Sequence, residues 1–190
     1  MNKQIEIEYK ILLTENIFND ILKYYPNHKD YIQTNYYFTH PLLQQKKYML
    51  RIREKNNTFE MTLKKPLKNH RLEMNVDINQ KDKDDFIQHL PIQNEIIDIL
   101  KQEGIDIKEL QQQFSLTTHR YDIILDEGVL SLDDNTYLNQ HDYELEFECY
   151  DETVGFQKFL EIIKPYHLDY QQNCMSKVQR ALKAYHENDK

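Results

Sequence analysis

Three glutamates alternate with apolar residues late in the chain, at Glu144, Glu146 and Glu148. Alternate side chains of an extended strand point to the same face, so this spacing predicts three carboxylates side by side. Like charges placed this way repel each other unless a cation or arginine residues lie between them. Carboxylate oxygens are preferred ligands of Mg²⁺ and Mn²⁺, so the stretch is a candidate metal site.

The stretch 5–11 shows the same alternation near the start of the chain, with Glu6, Glu8 and Lys10 on one face and apolar residues on the other. If the first and last strands are neighbours, these two glutamates meet Glu146 and Glu148. Such a cluster of acidic groups, with a basic residue beside it, suits a divalent metal ion bound to phosphate.

Basic residues on other alternating stretches supply the groups that would hold phosphate. The basic positions are Arg51, Arg53, Lys64, Arg71 and Arg120, with the acidic Glu73 and Asp133 on the same type of face. Arginine offers a planar fork to phosphate oxygens and lysine a compact point charge. Each motif alone is typical of an ion-paired strand surface. Their combination indicates a metal and triphosphate site.

The pattern of periodicity predicts the elements that position these residues. Predicted strands cover 5–11, 31–39, 49–54, 59–64, 71–78, 114–125, 129–133 and 143–149, with Pro66 ending the fourth. Predicted helices cover 14–25 (capped by Thr14 or Asn16), 81–90, 94–103, 153–166 and 173–186, with a further helical turn at 108–113. Turn signals are Asn56-Asn57 and Asp126-Glu127-Gly128, and Gly104 is the expected residue after a helix end.

The strands do not alternate with helices, which favours an α+β fold with an antiparallel sheet. If helices cover the apolar outside of a closed eight-stranded barrel, the charged faces line its interior. We therefore expect an eight-stranded antiparallel β-barrel, or tunnel, with helices packed outside, formed by residues 1–190 as a single domain.

The composition limits the classes of partner and the location. The net charge is −8, from 24 basic and 32 acidic residues, which argues against nucleic-acid binding. The cysteines, Cys149 and Cys174, have no metal-type spacing and predict no disulfide framework. The sequence shows no signal peptide and no apolar run of membrane-spanning length, so we expect a cytoplasmic protein that does not bind a membrane.

The motifs resemble those of the CYTH superfamily, the triphosphate tunnel metalloenzymes, and in particular its small single-domain members from Gram-positive bacteria. The matching pieces are Glu6-Ile-Glu8-Tyr-Lys10, Leu50-Arg51-Ile-Arg53, Thr62-Leu-Lys64, Arg71-x-Glu73, Thr118-His-Arg120, Leu132-Asp133, Glu144-Leu-Glu146-Phe-Glu148 and Ser176-Lys177-Val178. They occur in the family's order across nearly the whole chain.

The resemblance implies a tunnel that binds a triphosphate with Mg²⁺ or Mn²⁺. It implies that the metal lies near Glu6, Glu8, Glu144, Glu146 and Glu148. It implies substrate contacts for Lys10, Arg51, Arg53, Lys64, Arg71, Glu73, Arg120, Asp133 and Lys177. The sequence leaves open whether Asp133 or Asp134 faces inward, and Asn75 departs from the acidic residue that some relatives carry there.

The predicted function is metal-dependent hydrolysis of a triphosphate, with Glu8 and Glu148 helping to activate water. The same tunnel supports two alternatives: an adenylate cyclase of the class IV type, or a module that binds polyphosphate or nucleotides without catalysis. The head group of the substrate, which could be inorganic, thiamine or nucleoside triphosphate, stays open. So does the choice between a monomer and a homodimer.

Overall fold

The structure is a computed structural model that describes residues 7–67 and 70–188. Its strands are β1 (Ile7–Leu13), β2 (Lys29–Thr39), β3 (Met49–Lys55), β4 (Thr58–Leu67), β5 (His70–Ile78), β6 (Gln111–Leu125), β7 (Gly128–Tyr137) and β8 (Gln140–Cys149). Its α-helices are α1 (Glu15–Tyr24), α2 (Pro41–Gln45), α3 (Gln80–Ile87), α4 (Glu95–Gln102), α5 (Glu152–Ile163) and α6 (Lys177–Asn188). Short 3₁₀ turns lie at Ile107–Glu109 and Lys164–Tyr166.

The strands belong to one antiparallel sheet in the order β1-β8-β7-β6-β2-β3-β4-β5. The predicted α+β class with eight antiparallel strands is therefore confirmed. The described residues divide into two compact units: unit 1 comprises 33–67 and 70–116, and unit 2 comprises 7–32 and 117–188.

Unit 1 contains a meander of β3, β4 and β5 with helices on one face. Alternation places Leu50 and Ile52 of β3 beside Met61 and Leu63 of β4 on that face, and all four are fully buried. Helix α4 covers them with an apolar stripe formed by Ile96, Ile97 and Leu100. The opposite face of these strands keeps the charged residues, as the period of two requires.

Unit 2 contains β1, β8 and β7, with β6 pairing to β7 along residues 117–125. The apolar side chains of these strands pack under two helices, and the core includes Leu145 and Phe147 of β8, Phe18 of α1 and Phe159 of α5. Thr14 caps α1 by accepting a hydrogen bond from the backbone N–H of Ile17, which decides between the two predicted caps. Helices thus cover the apolar face in this unit too.

The predicted turns match the backbone. Asn56 and Asn57 both have positive φ, 50° and 58°, between β3 and β4, and Gly104 follows α4 with φ of 78°. In the hairpin of β6 and β7, Leu125 pairs with Gly128, so the turn itself is the two residues between them. A Cβ on Gly128 would lie 2.2 Å from the backbone oxygen of Glu148, so only glycine allows this approach.

Several predicted boundaries were wrong. Pro66 does not end β4, which continues to Leu67 with Pro66 opposite Arg71 of β5. The β3–β4 pairing stops at Lys64, so on that side no partner needs the N–H that proline lacks. The predicted helical turn at 108–113 is only the 3₁₀ turn Ile107–Glu109, because β6 already begins at Gln111.

The start of the last helix was also wrong, since α6 begins at Lys177 rather than at residue 173. The side-chain amide of Asn173 instead makes two hydrogen bonds to the backbone of β1. Its oxygen accepts from the N–H of Lys10 at 2.8 Å, and its nitrogen donates to the carbonyl of Glu8 at 3.0 Å. The N–H of Cys174 donates to the carbonyl of Lys10 at 3.2 Å. These bonds hold the segment extended against β1.

Other differences concern length. Strand β7 ends at Tyr137 rather than at residue 133, and β8 begins at Gln140 rather than at residue 143. Helix α3 ends at Ile87 rather than at residue 90. The short helix α2, with Pro41 in its first turn, was not predicted. Within the described ranges, none of the helices has the length and apolar character needed to cross a membrane.

Candidate active site

The polar faces of four neighbouring strands in unit 2 bring the candidate residues together. Glu146 of β8 lies opposite Lys10 of β1 and Ser131 of β7. Glu144 lies opposite Asp133 of β7, which lies opposite Arg120 of β6. Because the face opposite this one is buried under α1 and α5, the sequence can place these charges only here.

Three carboxylates form a compact acidic group, which we call the carboxylate trio: Asp133, Glu144 and Glu146. One oxygen from each lies within 4.8 Å of the others. Asp133 and Glu144 are completely buried. Hard divalent cations bind carboxylate oxygens at about 2.0–2.6 Å, so three converging carboxylate oxygens fit such an ion. An acidic cluster able to hold a metal ion is therefore present.

The ammonium of Lys177, the first residue of α6, lies at the centre of the trio. Its Nζ is 2.6 Å from Asp133, 2.7 Å from Glu144 and 2.6 Å from Glu146. Burial alone would lower the pKa of Lys177, but the three carboxylates raise it well above its ordinary value. Lys177 is therefore a fully charged, half-buried partner of all three acids.

Two arginines hold the remaining oxygens. The Nε of Arg120 donates to Asp133 at 2.7 Å and one terminal nitrogen donates to the same carboxylate at 2.6 Å and to Glu146. Arg180 of α6 donates from Nη1 to Glu144 at 2.5 Å. Bidentate contacts of this kind orient a carboxylate as well as offsetting its charge.

The two glutamates of the trio titrate in opposite directions. Burial raises the pKa of Glu144, against the pull of Lys177 and Arg180. Burial also acts to raise the pKa of Glu146, but Lys177 and Arg120 hold it well below its ordinary value. Perturbed carboxyl groups of this kind are typical of functional sites.

The predicted pair from the first strand lies one step along the same face. Glu8 is opposite Glu148 in the β1–β8 register, so the two strands are neighbours as the metal hypothesis requires. Lys10 is buried and its Nζ lies 2.5 Å from Glu8. Glu148 is exposed, and neither glutamate belongs to the trio. Glu6 lies outside the described residues.

The structure distinguishes the two neighbouring aspartates. Asp133 belongs to the trio, whereas Asp134 accepts from His141 at 2.6 Å on the other face of β7. Neighbouring residues of a strand point to opposite faces, so only one of the two aspartates can face the trio. Asp133, predicted to contact substrate, therefore sits where a metal ion would be held.

Unit 1 has a second charged group on its polar face, formed by Arg51, Lys64 and Glu73. The guanidinium of Arg51 lies 3.6 Å from one oxygen of Glu73, and Lys64 pairs with the other oxygen. Burial acts to raise the pKa of Glu73, but Lys64 and Arg51 lower it below its ordinary value. The side chain of Asn75 donates to Glu73 at 3.2 Å.

Part of this group lacks a protein partner. The Nε of Arg51 and the Oδ1 of Asn75 are buried without a hydrogen bond within the described part of the protein. Buried polar atoms are normally satisfied, so an acceptor for Arg51 is expected from a ligand or water. Arg53, on the same strand face, donates from Nε to Asn35 at 3.1 Å. The side chain of Arg71 lies outside the described residues.

Sequence reasoning missed Arg180 and the anchoring role of Asn173. The signal for Arg180 was available, because residues three apart on a helix share a face and Lys177 was already a candidate. The predicted helix 173–186 already contained both residues. Asn173 offered no sequence signal, since its partners lie on β1, 163 and 165 residues away.

Comparison with known proteins gives a consistent result. A family model described as "CYTH domain" matches residues 4–179. A Bacillus subtilis (strain 168) protein named "Putative triphosphatase YjbK" is 33% identical over 172 residues, covering 88% of this chain and 90% of that protein.

Solved structures agree with the sequence relatives. The crystal structure of a protein from Bacillus halodurans, described as "a putative adenylate cyclase", has 33% identity and a TM-score of 0.81, covering 95% of this chain and 98% of that one. A protein from Hippeastrum, HpAC1, has 19% identity and a TM-score of 0.74, with 97% and 96% covered, and shows the shared fold.

Proposed function

Because this chain belongs to the CYTH domain family, we propose that it hydrolyses the phosphoanhydride bond of a triphosphate with the help of a divalent metal ion. The observation that carries the proposal is the carboxylate trio of Asp133, Glu144 and Glu146, buried among basic side chains. The name of the B. subtilis relative supports the same reaction.

The basic residues beside the trio would bind phosphate oxygens. Lys10, Arg120 and Lys177 are buried or half-buried, so each would meet an anion in a medium where charge interactions are stronger than in water. Stabilising the charge that spreads over a transferred phosphoryl group is the main task of such residues. In unit 1, Arg51, Lys64 and Glu73, with Arg53 and Arg71, form the second set proposed to contact substrate.

Mg²⁺ or Mn²⁺, when bound by the trio, would neutralise phosphate charge and lower the pKa of a coordinated water. Glu8 and Glu148 would orient the attacking water and accept its proton. Glu8 is held by Lys10, and Glu148 is its direct cross-strand neighbour, so the two carboxylates can share one water.

The test is phosphate release from tripolyphosphate, thiamine triphosphate, ATP and GTP, each with Mg²⁺ and with Mn²⁺. Glu148→Gln and Glu8→Gln should abolish turnover and leave the far-ultraviolet circular dichroism spectrum unchanged. Glu161→Gln, an exposed position on α5 of the same unit, is the matched control and should keep full activity. Normal hydrolysis by Glu148→Gln would refute the assigned role.

Adenylate cyclase chemistry is the second candidate, favoured by the description of the B. halodurans relative as an adenylate cyclase. In that reaction the ribose 3′-hydroxyl attacks the α-phosphate and pyrophosphate leaves. Incubation with ATP and Mn²⁺ separates the two: phosphate release supports hydrolysis, and cyclic AMP with pyrophosphate supports cyclisation. Tight tripolyphosphate binding with neither product would instead indicate a binding module.

We infer that residues 1–190 work in the cytoplasm as one domain, as a monomer or homodimer, without nucleic acid or membrane as a partner. The net charge of −8 supports the exclusion of nucleic acid, because phosphate backbones bind basic surfaces. Size-exclusion chromatography with light scattering gives the number of subunits directly.

A further inference from the structure

The ammonium of Lys177 lies where a metal ion bound to the trio would lie. It has three N–H donors and three carboxylate partners, one each on Asp133, Glu144 and Glu146, at 2.6–2.7 Å. A divalent ion bound to the same oxygens would be about 2.0–2.6 Å from each, which places it at the same centre. Both cations cannot occupy that position together.

The charges of the cluster lead to the same conclusion. The three carboxylates of the trio contact three cations: Lys177, Arg120 and Arg180. Arg180 also pairs with Asp142, so four carboxylates face three cations. Adding a divalent ion would leave an excess of positive charge in a buried site, which is costly unless a cation leaves or an anion enters.

Lys177 is the cation that can move. Arg180 is bound to Asp142 at 2.8 and 2.9 Å as well as to Glu144, and Arg120 binds two acids at once. The chain before α6 is fixed to β1 by Asn173 and Cys174, so the helix start is held in place. The flexible four-carbon side chain of Lys177 can swing without moving the helix.

We propose that Lys177 is a placeholder cation, which a divalent metal ion must displace from the carboxylate trio before it binds there. The displaced ammonium then needs an anion, and a phosphate group supplies it. Metal and phosphate therefore bind cooperatively, and metal alone binds weakly. This inference rests on the proposed function, because it concerns the metal and the triphosphate of that same site.

The first experiment measures Mn²⁺ affinity without phosphate, from the electron paramagnetic resonance signal of free Mn²⁺. Lys177→Met removes the competing charge and keeps the length of the side chain, so Mn²⁺ should bind about 10-fold more tightly than to the wild type. Lys183→Met is the matched control on the same helix, since Lys183 is 68% exposed, and it should leave the affinity unchanged. Equal or weaker Mn²⁺ binding by Lys177→Met would overturn the proposal.

The second part adds inorganic phosphate, which this reaction does not cleave. Phosphate should strengthen Mn²⁺ binding to the wild type about 5-fold or more, and should have a smaller effect on Lys177→Met, which has no ammonium to pair with it. The same effect of phosphate in both proteins would contradict the coupling.

A third measurement uses only the wild type, so it does not depend on the variant folding. Acetylation of lysines by an N-hydroxysuccinimide ester is followed by mass spectrometry at Lys177 and Lys183. Mn²⁺ should raise labelling of Lys177 several-fold and leave Lys183 unchanged; no rise at Lys177 would count against displacement. Failure of the triphosphatase assay would refute the proposed function, whereas these binding results judge the placeholder role by themselves.

Discussion

Arg180 provides the sharpest test of the charge network in unit 2, because it contacts two acids of that network. It lies just beyond residues 4–179, which the family model matches. Its side chain is 9% exposed, and its guanidinium binds Asp142 at 2.8 and 2.9 Å and Glu144 at 2.5 Å. Arg180→Met leaves the half-buried Asp142 without its main cation and removes one of the two cations that contact the buried Glu144. Breaking a buried ion pair from one side costs about 3–5 kcal/mol of the free energy of unfolding.

Urea denaturation in EDTA measures this loss directly. For a chain of this length 1 kcal/mol corresponds to about 2–4 °C in Tm, so Arg180→Met should lower Tm by roughly 6–20 °C. Arg180→Lys keeps the positive charge but loses the forked geometry of the guanidinium, so its Tm should lie between those of the wild type and Arg180→Met. Lys183→Met, the exposed control on α6, should change the free energy of unfolding by less than about 0.5 kcal/mol. A loss below about 1 kcal/mol for Arg180→Met would refute the reasoning.

The pH dependence of this difference has a defined sign. Burial acts to raise the pKa of Asp142, but Arg180 and Tyr137 lower it below its ordinary value of 3.8. A lowered folded-state pKa contributes stability that is present above 3.8 and is lost as the pH falls through the folded-state value. The stability gap between wild type and Arg180→Met should therefore shrink in acid, below that pH.

Three further predictions concern stability. Gly155→Ala places a Cβ 2.3 Å from Cβ and Sγ of Cys149, and should cost about 1–3 kcal/mol in urea denaturation; no loss would show that the helix shifts freely. Leu100→Ala, at a position with 0% exposure in unit 1, should cost about 2–5 kcal/mol, and a cost near zero would contradict the packing of α4. Two lysines, Lys46 and Lys65, lower the pKa of Glu103 to about 2, so its contribution to stability is present at neutral pH and is lost as the pH falls from 4.5 towards 2. Glu103→Gln should flatten the plot of unfolding free energy against pH in that range, and an unchanged plot would refute the pairing.

The faces of the strands could be predicted from the sequence because the side-chain period of a strand is fixed. Alternation alone assigned Glu144 and Glu146 to one face of β8 and Leu145 and Phe147 to the other, and the burial of the two apolar residues confirms it. Turn residues were equally informative, since the two positive φ values at Asn56 and Asn57 are those that the Asn-Asn signal predicts.

The meeting of Asp133 with Glu144 could not be predicted, because it depends on the register between β7 and β8. A shift of one residue between β7 and β8 would put Asp134 rather than Asp133 beside Glu144. The start of α6 depends in the same way on contacts across the chain, since Asn173 is held by the backbone of β1. Local propensity contains no information about either contact.

The cost of the charge cluster in unit 2 supports the proposal that it binds metal and phosphate. Desolvating three carboxylates and their cations costs several kcal/mol per ion, and apolar residues of similar volume often stabilise a fold as well or better. In the proposed function the cost is offset by ligand binding, because a metal ion would bind the carboxylates and phosphate would bind Lys177. In unit 1, the buried Nε of Arg51 has no hydrogen-bond acceptor among the described residues, and a bound phosphate would supply one.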